Sequence, residues 1–209
     1  MLERISRREE FDLFIAWIAI SLAFAIIFLR DTGRVDPVTA LIFLGVSLFT
    51  VGIGFILHEM AHKFTAIRYG FWAEFRKDNM MLLVAVALAA LVGVVFAAPG
   101  ATVIYDSSGR GISREQNGRI SVAGPLVNLL LCIPFAGLLI YGGGGNLFTG
   151  NIMTMIGMIG FQVNAMIAAF NMLPVSVLDG KKVFAWNKAV FVLMILAAFG
   201  MLLASFYVL

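Results

Sequence analysis

Phe55-Ile56-Leu57-His58-Glu59-Met60-Ala61-His62 places an H-E-x-x-H pattern inside an apolar run. On a helix, residues four apart share one face, so both imidazoles can reach a common metal ion. Glu59, beside the first histidine, is placed to take a proton from an attacking water. The chain has two histidines, and both stand in this stretch. The plain alternative is a polar cluster resting in the headgroup region. Against it, ionisable groups within a membrane segment are expensive and read as functional by default.

The surroundings of the motif set the class of protein. Of 209 residues, 61% are apolar and 13% charged, whereas a soluble domain is about half apolar and a quarter charged. The apolar residues come in runs of about 20, the length that spans a bilayer. The expectation is an all-α polytopic membrane protein with five to six transmembrane helices and a short β-hairpin. It forms a single domain over residues 1–209, with a core at 38–182 and peripheral helices at 11–29 and 189–207. The net charge of +3 is small and does not suggest nucleic acid as a partner; lysines and arginines read here as topology signals. Cys132 stands alone, which leaves no internal disulfide and no cysteine metal site. The segment Phe11 to Leu29 is too long for a signal-peptide core and has no small-residue cleavage site, so it reads as a retained anchor.

Residues 1–10, where Arg4, Arg7 and Arg8 face Glu3, Glu9 and Glu10, read as a solvated amphipathic start. The second helix runs from Val38 to Tyr69, follows a turn that ends at Pro37, and stops at Gly70. It is longer than a membrane requires, so a motif near its C-terminal end lies below one surface. Phe71 to Asn79, with Trp72 and Phe75, reads as an interfacial anchor. Ala101 to Tyr105 reads as a strand, with a turn at Asp106 to Gly109. Further helices are expected over 120–141, 151–170 and 189–207, with a glycine linker at Gly142 to Gly145. No internal repeat and no appended soluble domain is apparent.

Met80 to Ala98 decides the layout. If it crosses the membrane, Asp179 lies on the face opposite the histidines. If it dips in and returns, Asp179 shares their face. In the returning layout one side holds Arg4, Arg7, Arg8, Lys63, Arg68, Arg76, Lys77, Arg110, Arg114, Arg119, Lys181, Lys182 and Lys188. Only Arg30 and Arg34 lie on the other, a split of 13 to 2; the crossing layout gives 7 to 8. The positive-inside rule favours the first. The expectation is five spanning helices plus a re-entrant or interfacial segment at 80–98, in the cell membrane, with the N-terminus and the site toward the cytosol.

A catalytic zinc usually has three protein ligands and one open position. With no third histidine, a carboxylate must complete the set. Asp179, Asp78, Asp106, Glu74 and Glu115 are the candidates, and Asp179 reads equally as a helix cap or a solvated turn residue.

Three motifs in order then resemble the site-2 proteases, intramembrane zinc metalloproteases. The first is H-E-x-x-H followed by Ala66 and Tyr69-Gly70. The second is Ala123-Gly124-Pro125-Leu126-Val127-Asn128. The third is Phe170-Asn171-Met172-Leu173-Pro174 leading to Leu178-Asp179-Gly180. The resemblance covers about residues 38–182. It implies that His58, His62 and Asp179 bind Zn2+, that Glu59 is the general base, and that Asn171 donates to a developing oxyanion, with a helix C-cap as the other reading of Asn171. It implies an endopeptidase that cuts membrane proteins within or near their transmembrane helices. Two positions depart from the family pattern: Lys181 stands where a second glycine is common, and Val177 where a proline is frequent. Read without the resemblance, Gly124, Pro125 and Asn128 serve close helix packing. A transporter or scaffold with a vestigial metal site is the alternative, and it has no need of Glu59.

Overall fold

The computed structural model describes residues 5–33, 36–95, 100–106, 109, 111–144, 151–175 and 177–207. Glu3, Arg4, Arg34, Ser107, Ser108, Arg110, Gly145 and the end of the apolar run at 96–98 lie outside the described residues. The elements are α1 (Arg7–Thr32), α2 (Pro37–Arg68), β1 (Trp72–Lys77), α3 (Asn79–Leu91), β2 (Gly100–Tyr105), α4 (Arg114–Tyr141), α5 (Ile152–Asn171), α6 (Asp179–Trp186) and α7 (Lys188–Tyr207). Five of these helices, α1, α2, α4, α5 and α7, are long and apolar enough to cross a membrane.

Helix starts follow capping chemistry more than hydropathy. Ser6 accepts from the Glu9 N–H and Asp36 from Thr39, while Ser113 and Gln116 close a capping box. These caps satisfy N–H groups that lack a partner within the helix. The caps lie in polar flanks, so α1 begins at Arg7 rather than Phe11, and α4 at Arg114 rather than Ile120. The apolar run marks only the part of each helix that lipid or protein covers.

Of the solvated start expected over residues 1–10, Arg7, Arg8 and Glu10 are exposed, but Glu9 is not. Glu9 is fully buried and pairs with the equally buried Lys63 of α2. Its other oxygen accepts from the Phe75 N–H at 3.0 Å. A charge can be buried only when paired and hydrogen-bonded, and both conditions hold here. Phe71 to Asn79 is likewise more than an anchor. It contains β1, whose Phe75 is fully buried and meets the Phe55 ring edge-on at 5.4 Å. Of the two aromatic anchors, Trp72 keeps the exposed character expected of it.

β1 and β2 pair antiparallel, with Trp72 opposite Tyr105 and Lys77 opposite Gly100. The connection between them is not a tight turn but the whole apolar segment. Because Lys77 and Gly100 are paired, the two ends of that segment lie side by side. α3 has 13 residues, about 20 Å of helix against a hydrocarbon core of about 30 Å. It packs along α1, and Arg30 donates to the Ala89 and Ala90 carbonyls at its C-terminal end, at 3.2 and 2.6 Å. Carbonyls at the C-terminal end of a helix carry partial negative charge and favour a cation.

α4 and α5 form the most extensive helix pair, and α2 packs against α1, α4 and α5. α6, which the apolar pattern does not reveal, packs on α4 and α7. Two spans therefore separate the end of α2 from α6, and the chain returns to the end of the bundle where His58 and His62 lie.

Candidate metal centre

His58 and His62 lie one turn apart near the C-terminal end of α2, and Asp179 is the first residue of α6. All three are buried. Their facing atoms form a small triangle. His58 Nε2 and His62 Nε2 are 3.0 Å apart, and Asp179 Oδ2 lies 3.5 and 3.1 Å from them. Ligands at zinc–nitrogen and zinc–oxygen distances of about 2.0–2.1 Å, arranged tetrahedrally, sit about 3.3 Å from one another. The triangle matches one face of that tetrahedron.

The outer faces of the imidazoles fix what the inner faces present. His62 Nδ1 donates to the Ile120 carbonyl at 2.8 Å, which in the neutral ring leaves Nε2 with a lone pair. His58 Nδ1 meets Asn128 Oδ1 at 2.5 Å. The Asn128 amide can face only one way. Its Nδ2 donates to the Gly54 carbonyl at 3.1 Å and to Asn164 Oδ1 at 2.8 Å, and Asn164 Nδ2 donates to the Gly160 carbonyl at 2.8 Å. Asn128 Oδ1 is thus an acceptor, His58 Nδ1 carries the proton, and His58 Nε2 is also a lone pair. Two lone pairs and a carboxylate oxygen converge with no donor among them. With both rings neutral, such a set is held together by a positive charge between them, and partners behind the rings orient metal-binding imidazoles in just this way. The residues fit a divalent ion of the zinc type.

Two glycines bring the candidate ligands together. A Cβ on Gly124 would meet Nε2 of both histidines, so α4 passes directly over the ligand atoms. A Cβ on Gly180 would meet the Met172 carbonyl, so the first turn of α6 rests on the backbone that ends α5. That contact carries Asp179 to the histidines. Asp179 is neither the helix cap, which is Leu178, nor a solvated turn residue. Burial works against its charge, but His62 and His58 hold its carboxyl below the usual carboxylate range. Its second oxygen lies 3.8 Å from Lys182 Nζ.

The other carboxylates have different work. Asp78 caps α3, Glu74 pairs with Arg76, Glu115 pairs with Arg119 at 2.7 Å, and Asp106 accepts from the Gly111 N–H at 2.6 Å.

Glu59 stands where two cavities meet. One, of about 80 Å³, is apolar and lies between α1, α2, α3 and α5. The other, of about 60 Å³, holds the ligand triangle and is walled by β2. His58, Glu59, Gly100 and Asn171 line both. Glu59 Oε2 accepts from Thr102 Oγ1 at 2.8 Å. Asn171 is the last residue of α5, not its C-cap, and its Nδ2 donates to the Ile167 carbonyl at 3.0 Å.

A protein of Methanocaldococcus jannaschii, named "Putative zinc metalloprotease", is 36% identical to this chain over 200 residues, which cover 96% of this chain and 95% of that one. The chain belongs to that zinc metalloprotease family. No family model and no solved structure matches it. The H-E-x-x-H spacing marks two of the metalloprotease's converging residues on one helix. Thr102, Glu9 and the Ile120 carbonyl have no comparable sequence signal, because each acts through a partner at least 43 residues away.

Proposed function

We propose that the protein is an intramembrane endopeptidase of the site-2 protease type, which hydrolyses peptide bonds within or near the transmembrane helices of other membrane proteins. The observation that carries this reading is the His58–His62–Asp179 triangle beside Glu59, buried in a bundle of five membrane-length helices. The ligand set is His58, His62 and Asp179, and the general base is Glu59. A zinc ion held there supplies a Lewis acid and lets water act as a nucleophile near neutral pH. With Thr102 on Oε2, Glu59 keeps Oε1 to take the proton of the attacking water and then deliver it to the leaving amine. Asn171, on the wall shared by the two cavities, donates to the developing oxyanion after releasing the Ile167 carbonyl.

The two cavities suit a substrate drawn from the bilayer. The apolar one accepts side chains from a transmembrane segment. The polar one admits water and borders β2, whose outer edge has no strand partner among the described residues. A helix hides its carbonyls in its own hydrogen bonds, so the substrate unwinds locally and lies along β2 as an added strand. The end of the bundle that holds the site also gathers Lys63, Arg76, Arg119 and Lys182, which favours a cytosolic placement.

The test is cleavage of a tagged single-span substrate by the purified protein beside Glu59→Gln, with zinc measured in both. Cleavage by wild type alone, with zinc in both, is the expected result. Equal cleavage of the same sequence carried in a soluble loop would remove the intramembrane part. A Glu59→Gln protein that still cleaves would remove Glu59 from its role.

A further inference from the structure

Thr102 is tied to the site by its side chain and faces the outer edge of the sheet by its backbone, an edge with no strand partner among the described residues. Its hydroxyl donates to Glu59 Oε2 at 2.8 Å. Across the ladder it stands opposite Phe75. The Phe75 N–H is donated to Glu9 Oε1 at 3.0 Å, so it points away from β2. In an antiparallel ladder, directly opposed residues either exchange both hydrogen bonds or turn both sets of main-chain groups outward. Thr102 therefore presents its own N–H and C=O to the outer edge of β2. The register that achieves this is anchored: Glu9 is paired with Lys63, and Lys63 lies one turn beyond Glu59 on α2. The sheet is thus fastened to the metal-bearing helix at two points, through Thr102 at Glu59 and through Glu9 at Lys63.

We infer that Thr102 is a positioning residue that couples docking of an extended peptide on β2 to alignment of the base Glu59. The inference rests on the proteolytic reading above. A peptide that pairs with the Thr102 N–H and C=O holds the strand in place. The hydroxyl of the same residue then fixes one oxygen of Glu59 and leaves the other for the proton. Bound substrate and aligned base come together through one residue.

Thr102→Val keeps the shape and strand preference of the residue and removes only the hydroxyl. The expected result is a kcat lower by roughly 10-fold to 100-fold, as for other groups that orient catalytic side chains, with KM and zinc content unchanged. Thr102→Ser restores most of the loss. A second readout needs no turnover. Amide hydrogen exchange across 100–105 should quicken in Thr102→Val and in Glu59→Ala, no further in the double variant, and not in Thr102→Ser. An unchanged kcat in Thr102→Val, or a raised KM with kcat intact, would overturn the inference. So would exchange in β2 that ignores both single variants, and that arm still decides if Thr102→Val folds poorly, because Glu59→Ala reports on the same bond. If the wild type cleaves no membrane substrate, the proteolytic reading fails, while the exchange result still judges the tie.

Discussion

α2 and α7 are equally apolar, and they do opposite things with that character. α2 buries His58, Glu59, His62 and Lys63 within two turns, and the partners of these four come from α1, α4, α6 and β2. α7 carries no charge after Lys188, buries Phe191, Met194, Ala198 and Ser205, and leaves Leu193 and Leu196 about two-thirds exposed, at 70% and 67%. Its most apolar stretch is half as buried as that of α2. In lipid an apolar face gains little by turning inward, because acyl chains are as apolar as leucine. What distinguishes a helix in such a protein is the polar groups that it must satisfy. Those of α2 recruit the rest of the bundle around them; α7, with almost none, can face the membrane.

The comparison breaks first at Gly124. A methyl group there meets both ligand nitrogens, so Gly124→Ala should expel the metal and end proteolysis in a protein that still folds, as zinc analysis and a helicity spectrum would show together. Retained zinc at full stoichiometry would mean that α4 can move away from α2. Next in size is the pair behind the motif. Glu9→Leu leaves the Lys63 ammonium buried without its anion, with only the Trp72 ring 5.4 Å away, and should lower stability by about 3–5 kcal/mol. The double variant Glu9→Leu/Lys63→Met should recover much of that loss in thermal unfolding; a double variant as unstable as the single would locate the loss at the Phe75 N–H instead. Asn128→Leu removes the acceptor behind His58 and should weaken zinc binding by about 10-fold to 100-fold, measured by competition with a chelator. At the other extreme, Leu193→Ala on α7 should change stability by no more than about 0.5 kcal/mol. A larger loss would show that α7 faces protein and not lipid.

Much of the bundle is legible in the sequence because lipid imposes a length. Runs of about 20 apolar residues give the spans almost one for one. Met80 to Ala98 is the instructive exception. It is long enough to cross, and only the imbalance of arginine and lysine argues that it returns. The pairing of Lys77 with Gly100 places the two ends of that segment side by side, as a returning segment requires. The polar flanks were harder to read. Glu9 looks like any interfacial acid until α2 and β1 surround it, and Phe75 looks like an anchor until Phe55 covers it.

The sequence by itself determined that this is a multi-pass membrane protein, and that two imidazoles and a carboxylate share a turn of one helix. Both follow from local periodicity and length, which a chain carries without folding. Residue chemistry alone left five carboxylates open and only the motif resemblance singled out Asp179; the tertiary structure brought that one to the histidines, and it alone decided what stands behind their rings and what holds Glu59. Asp179 lies 117 residues beyond His62 in the chain, but 3.1 Å away in space. It gets there because Gly180 lets α6 rest on the end of α5, and because two spans and a returning segment bring the chain back to the same end of the bundle. Contacts between residues so far apart leave no period in a sequence; they are set by packing, where one absent methyl group determines how closely two helices approach.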